Sequence, residues 1–357
     1  MSEHIDRAGN IRSGEELELE PLARYLREHV DEIAANAEIA VEQFPKGHSN
    51  LTYLIRSGDK EYVLRRPPFG SKVKSAHDMG REYRVLSKLA PHYPLAPEPL
   101  LYCEDDSVIG ATFYVMRRIR GVILRRELPA GVTLSEAQTK ALHETLIDEL
   151  VRLHGLDFEA IGLGGLGKPE GYVERQVSGW TKRYGNSKTD EIPSVDQLGA
   201  WLAEHLPESG APALIHNDYK LDNVVLDSQD LTRIVGVLDW EMSTIGDPLM
   251  DLGTSLSYWV EATDADEFQW VRWGPTSVPG SLTRTELVAR YAEGSGRDVS
   301  NVLFYYCFGL FKTAVVLQQI YYRYKHGFTK DERFAPLIHG VRVLANRGVE
   351  AIELGHV

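Results

Sequence analysis

Eight consecutive residues, His216-Asn217-Asp218-Tyr219-Lys220-Leu221-Asp222-Asn223, form the densest group of chemically capable side chains in the 357-residue sequence, and Asp239-Trp240-Glu241 follows sixteen residues after Asn223. Phosphoryl transfer needs one carboxylate to orient the attacking hydroxyl and take its proton. It also needs an amide oxygen and a second carboxylate to hold magnesium on a triphosphate. In this pattern Asp218 is the base, and Asn223 and Asp239 are the metal ligands, with ATP and Mg2+ as the implied cofactors. The spacing supports that reading. Asp218 to Asn223 leads into the apolar run Val224-Val225-Leu226, and Asp239 ends the next run, so both metal ligands are expected at the same edge of a hairpin.

The elements that must position these residues fall into two parts. Leu17, Leu22, Tyr25, Leu26 and Val30 recur at helical spacing and predict an amphipathic cover helix to about Asn36. Three β-type runs follow, Ile39 to Phe44, Leu51 to Ser57 and Tyr62 to Arg66, separated by polar and glycine turns. A helix from Ser75 to Leu89 and a hairpin ending in Thr112 to Ile119 complete this part. From Gly121 onward helical periodicity dominates, interrupted by three short strands at Ala213 to His216, Asn223 to Asp227 and Ile234 to Leu238. The expected fold class is α+β, bilobal, with a small antiparallel-sheet lobe and a large, mainly helical one. The expected boundaries are a polar head and cover helix over 1–37, a nucleotide-binding lobe over 38–119, and a catalytic and acceptor-binding lobe over 120–357.

With these residues in view, the sequence resembles the protein-kinase-like fold, and within it the small-molecule branch of aminoglycoside phosphotransferases, choline kinases and homoserine kinases. His216-x-Asp218-x-x-x-x-Asn223 is similar to the catalytic-loop pattern of that fold, Asp239 to its metal-binding Asp, and Gly246-Asp247-Pro248-x-x-Asp251-Leu252 to the stretch that follows in phosphotransferases. The resemblance implies that Asp251 braces the backbone of the catalytic loop and that His216 is structural. It implies that Lys220 stabilises charge on the transferring phosphate. Glu241 and Asp247 are expected to be ordinary loop residues.

Phosphate contacts are looser in pattern. A glycine-rich phosphate loop is absent, since the first hairpin offers only Gly47 in Lys46-Gly47-His48-Ser49-Asn50, and Ser49 and Asn50 are the candidate contacts. Arg65 stands where the resemblance calls for a phosphate-binding lysine, and it supplies a permanent cation with a bidentate fork. Glu82, on the following helix, is its expected ion-pair partner. Met116, Arg117, Arg118 and Ile119 form the expected hinge, offering backbone groups to adenine, with the nucleotide between the lobes.

Gly162-Leu163-Gly164-Gly165-Leu166-Gly167-Lys168-Pro169 satisfies GxGxxG and most of a P-loop, but it follows a helix end, and Pro169 stands where a P-loop needs Ser or Thr. A flexible helix-to-helix connection is the expectation. Two rival functions remain. A protein kinase would need a longer peptide-holding segment than the 12 residues from Asp239 to Asp251, and Ala-Pro-Glu is absent. A catalytically inactive nucleotide-binding scaffold is kept in play by Arg65.

Lys plus Arg is 39 against 52 Asp plus Glu, a net charge of −13, which argues against a broad nucleic-acid interface. The charge is uneven: Arg56 to Lys88 holds nine basic and four acidic residues, and Arg117 to Arg126 holds five basic and none acidic, which suits a compact anionic ligand. Two cysteines, Cys103 and Cys307, provide neither a disulfide framework nor a zinc site and fit a reducing cytoplasm. No signal peptide, membrane span or protein partner is indicated. For the acceptor, Gly171-Tyr172-Val173-Glu174-Arg175-Gln176, Trp180 and Phe311-Lys312 resemble the subgroup of these kinases fused or associated with acyl-CoA dehydrogenases. That resemblance implies a hydroxyacyl compound or its CoA thioester as the small-molecule acceptor, with Arg175, Trp180 and Lys312 as candidate contacts.

Overall fold

The computed structural model describes residues 4–45, 50–69 and 78–357. Ser49 and the expected start of the second helix lie outside the described residues. The chain divides into two units. The first comprises Met1–Ile123, Val225–Asp230 and Ile234–Glu241, and the second comprises Leu124–Val224, Leu231–Arg233 and Met242–Val357.

In the first unit, α1 (Leu19–His29) buries Leu22, Ala23 and Leu26 one helical turn apart. It precedes β1 (Ala40–Gln43), β2 (Leu51–Ser57), β3 (Lys60–Arg66), α2 (Met79–Leu89), β4 (Pro99–Cys103) and β5 (Phe113–Arg117). The five strands pair antiparallel in the order β1-β2-β3-β5-β4. β2 and β3 are joined by Gly58-Asp59, with Gly58 at φ 62°, the left-handed backbone a two-residue hairpin turn requires. Leu22 and Leu26 of α1 share one core with Tyr53, Ile55, Leu64, Phe113 and Val115 of the sheet. Each such side chain contributes about 1.5–3 kcal/mol by leaving water. On α2, Met79, Glu82, Val85, Leu86 and Leu89 are buried, so the one acidic residue of this set lies on the helix's apolar face. Asp78 caps the helix through the Arg81 N–H at 2.9 Å. The short hairpin β7 (Val224–Leu226) and β8 (Ile234–Val237) runs from the boundary into this unit.

The second unit is built on α9 (Val302–Lys325), whose run Phe304 to Val315 is buried throughout. Length and composition alone would let this helix cross a membrane, but 72% of its most apolar window is buried inside the protein, which accounts for that composition. The other helices are α3 (Glu136–His154), α4 (Tyr172–Ser187), α5 (Pro193–Glu204), α6 (Pro248–Ser257), α7 (Asp266–Trp270), α8 (Arg284–Ser295) and α10 (Leu337–Leu354). α6 crosses α9 at Gly253 and Gly309, where a Cβ on Gly253 would stand 2.1 Å from the Tyr305 carbonyl oxygen and one on Gly309 would stand 2.2 Å from that of Gly253. Helix edges mostly follow the periodicity. α10 starts at Leu337, because Glu332–Phe334 forms a separate 3-10 turn and Pro336 precedes the first helical residue.

Two features depart from expectation. β6 (Ala213–Ile215) pairs with a strand not foreseen, β9 (Thr244–Gly246). The run Gly162 to Lys168 is a packed connection: Gly164–Leu166 is a 3-10 turn, and a Cβ on Gly167 would meet the Thr244 hydroxyl at 2.4 Å and the Ile245 carbonyl at 2.7 Å. Its glycine at 167 therefore serves close approach to β9.

Candidate functional site

The loop after β6 is held by its backbone. Asp251, in the first turn of α6, accepts the His216 N–H on Oδ2 at 2.6 Å and the Asn217 N–H on Oδ1 at 2.7 Å. His154 Nε2 lies 3.1 Å from the same Oδ2, and its Nδ1 lies 2.8 Å from the Tyr291 hydroxyl. Burial alone would push the Asp251 carboxyl up, but His154 and the loop N–H keep it below the usual range. Asn217 adopts φ 67°, a left-handed conformation costly for a residue with a Cβ. Its carbonyl oxygen accepts from buried Lys312 on α9 at 2.6 Å.

That loop presents Asp218 to four hydrogen bonds. Lys220 Nζ donates to Oδ1 at 2.9 Å and to Oδ2 at 2.8 Å, Tyr258 donates its hydroxyl to Oδ1 at 2.7 Å, and Asn223 Nδ2 donates to Oδ2 at 2.9 Å. Burial works to raise the Asp218 carboxyl, but Lys220 and Tyr258 hold it below its ordinary value. His216 Nδ1 accepts the Asp218 N–H at 3.2 Å, a structural use of the imidazole. Asn223 spends its amide nitrogen on Asp218 and leaves Oδ1 as a hard oxygen of the kind magnesium takes.

The first unit gathers a second set. Arg65 on β3 donates to Glu82 of α2 at 2.5 Å and to Asp239 at 3.1 Å, with Glu241 at 3.6 Å. Burial opposes the guanidinium charge, but Glu82, with Asp239 and Glu241, carries its pKa well above the ordinary value. The Trp240 N–H donates to Glu82 at 3.1 Å, and the indole N–H donates to Val237 O at 2.8 Å, so a buried tryptophan anchors the turn that carries Asp239. Asp239 has φ 68°; among the described residues, Asn217 and Asp239 are the two non-glycine positions with positive φ. Both lie within the pattern singled out from the sequence, where strain is expected to collect.

A model of the phosphotransferase enzyme family matches residues 40–295. The chain belongs to that family. It is 36% identical over 348 residues to acyl-CoA dehydrogenase family member 11 of Rattus norvegicus, covering 93% of this chain and 43% of that protein. It is 35% identical over 342 residues to the Homo sapiens protein of the same name, covering 92% and 42%. The chain thus spans under half the length of these curated relatives. A solved structure of a candidate aminoglycoside phosphotransferase from Ralstonia eutropha JMP134 superposes with TM-score 0.79 at 32% identity, over 95% of this chain and 99% of that one. Choline kinase from Cryptosporidium parvum shares the fold, with TM-score 0.65 at 10% identity over 94% and 96%. The protein-kinase-like phosphotransferase fold and the tie to acyl-CoA-dehydrogenase-named relatives are those the motifs implied.

Other expected positions fall as follows. Asn50 is buried and donates to Glu241 at 2.6 Å. Glu241 is therefore no ordinary loop residue: besides Asn50, it sits beside Arg65, and its carbonyl accepts from Arg81 at 2.8 Å. Asp247 also has a defined task, capping α6 through the Leu249 N–H at 2.9 Å and accepting the Tyr305 hydroxyl at 2.9 Å. Met116 is buried in β5, and Ile119 packs over Gly236. At the expected hinge the N–H groups of Arg117 and Arg118 are taken by the carbonyls of Glu98 and Glu61. The Arg117 side chain pairs with Glu32 and Glu98, and that of Arg118 with Glu61.

Of the three candidate acceptor contacts, Trp180 and Lys312 line a cavity of about 230 Å³ in the second unit, with Tyr172, Gln176, Arg183 and Asn217. Arg175 lies outside this lining, its guanidinium turned onto the carbonyls of Lys168 and Glu170. Among the described residues the lining contains two cations and no carboxylate. Sequence reasoning missed Tyr258, His154 and Arg183. His154 and Tyr258 lie 64 residues before and 40 after Asp218, in helices where they read as ordinary members, so no local pattern could have marked them.

Proposed function

We propose that this phosphotransferase moves the γ-phosphate of ATP to a hydroxyl of a small anionic molecule. The observation that carries the reading is the oriented carboxylate of Asp218, held by Lys220, Tyr258 and Asn223 on a loop whose backbone is fixed by Asp251. Asn223 and Asp239 are the proposed magnesium ligands, both offering the hard oxygen donors that ion prefers. Magnesium, when bound, neutralises charge on the phosphate oxygens.

Asp218 accepts a hydrogen bond from the acceptor hydroxyl and aims its oxygen at the γ-phosphorus. The new oxygen–phosphorus bond forms as the bond to the β,γ-bridging oxygen breaks. ADP leaves with that electron pair, and the hydroxyl proton passes to Asp218 and then to water. A carboxyl held low in pKa is a weak base, which suits a loose transition state in which the proton moves late and positioning does most of the work. Lys220 donates to the oxygens of the transferring group, and Arg65 serves the nucleotide phosphates.

For the acceptor, the Lys312 and Arg183 cations, with no carboxylate among the described lining residues, disfavour a polycationic aminoglycoside. A hydroxyacyl compound or its CoA thioester suits that lining and the names of the curated relatives. Following ADP release with aminoglycosides, sugars and hydroxyacyl-CoA compounds in parallel tests this. Turnover with aminoglycosides alone overturns the anionic acceptor, and a melting temperature indifferent to ATP and magnesium overturns the kinase reading.

A further inference from the structure

Helix α6 meets the catalytic loop twice. Asp251 stands in its first turn and Tyr258 caps its C-terminus. Seven residues are nearly two helical turns, so the two side chains leave one face about 10 Å apart along the axis. Asp251 takes the backbone N–H groups of His216 and Asn217, and Tyr258 reaches the Asp218 carboxylate at 2.7 Å. The helix is fixed lengthwise by the Gly253–Gly309 crossing and by the 3.1 Å hydrogen bond between the Ser257 and Thr313 hydroxyls. The Tyr258 ring is set in turn by an edge contact to Trp273, with centroids 5.3 Å apart.

We infer that Tyr258 is a positioning residue for phosphoryl transfer, the group that keeps the Asp218 carboxylate in its working rotamer when Lys220 turns toward the transferring phosphate. This rests on the phosphotransferase reading of Asp218 given above. Lys220 makes two of the four hydrogen bonds to Asp218, and its ammonium stands 4.7 Å over the Tyr258 ring. Once Lys220 swings away, Oδ1 keeps a single donor, the Tyr258 hydroxyl, and Oδ2 keeps Asn223. Without Tyr258 only the Asn223 bond to Oδ2 remains, Oδ1 has no donor to fix it, and the attacking hydroxyl meets a less firmly oriented acceptor. Burial and the neighbouring Asp218 raise the phenol pKa well above its ordinary value, so it remains a donor at any working pH.

The test is Tyr258→Phe, with magnesium-ATP turnover followed as ADP release, using water as acceptor and then whichever hydroxyl compound the screen yields. The expected result is a kcat about ten- to a hundredfold lower with KM for magnesium-ATP within about twofold. In an Asp218→Asn background the same change is expected to cost nothing further, because the two residues act as one unit. A kcat within about twofold of the unmodified chain, or a loss that multiplies with that of Asp218→Asn, overturns the inference. A melting cycle tests the contact without turnover. Tyr258→Phe is expected to lower the melting temperature in the unmodified chain but not beside Asp218→Ala, and equal losses in both overturn it. If the unmodified chain neither releases ADP nor responds to magnesium-ATP, the kinase reading falls and takes the positioning role with it. A failed melting cycle alone removes only Tyr258.

Discussion

Lys312 Nζ donates to the carbonyl oxygen of Asn217 at 2.6 Å, placing a buried ammonium against the one residue of the loop after β6 that is held left-handed. No carboxylate stands within ion-pair distance of Lys312 among the described residues, and burial pushes its pKa down to about 8. The sign of the resulting pH effect is fixed. Below about pH 8 the folded and unfolded chains both carry the proton, and above it the folded chain loses the proton first. Stability attributable to Lys312 therefore rises from pH 8 toward the ordinary lysine range, with a slope approaching ~1.4 kcal/mol per pH unit. Denaturation midpoints of the unmodified chain and Lys312→Met, compared between pH 7.5 and 9.5, check this: the difference between them should shift in favour of the unmodified chain as pH rises. A constant difference refutes the assignment.

Removing Arg65 leaves Glu82 buried without its cation. Arg65→Ala should cost about 3–5 kcal/mol, the usual penalty for stranding one partner of a buried pair. Urea denaturation measures it, and a loss under ~1 kcal/mol would show that water reaches Glu82. Arg65→Lys keeps one charge but not the fork that spans Glu82 and Asp239, so an intermediate loss is expected.

Asp218 and Asp239 should separate binding from chemistry. Asp239→Ala is expected to abolish the magnesium-dependent rise in melting temperature with ATP. Asp218→Asn should retain that rise while turnover drops about 10²–10⁴-fold. Loss of the thermal response in Asp218→Asn would contradict the division of roles.

Gly253→Ala places a methyl group against the backbone carbonyl of Tyr305, which cannot move aside as a flexible side chain would. A loss of about 1–3 kcal/mol is expected. Since α6 also carries Asp251, turnover should fall further than stability explains. An unchanged kcat at a temperature where the variant remains folded would show that the helix crossing and the loop are uncoupled.

The proposed catalytic pattern and the alternation that builds the sheet were both readable in the sequence. Asp218, Lys220 and Asn223 lie within six residues, close enough for spacing alone to mark them as one group, although Asp251 of α6 fixes the loop that carries them. The Arg65–Glu82 pair was also legible, because a strand followed by a helix with one acidic residue on its apolar face leaves few partners for that charge. Distant contacts, visible only in the folded chain, bring Asp251 and His154 together in one buried pair, add Tyr258 to the loop residues that hold the Asp218 carboxylate, and join Glu241 to Asn50 and Arg65. Tertiary structure also set the partner of β6, because a three-residue strand carries too little pattern to announce its pairing. The physical reason is the same in each case. Contacts between distant segments depend on where helix axes cross and how closely they approach, as at Gly253 and Gly309, and no local spacing of residues encodes that distance.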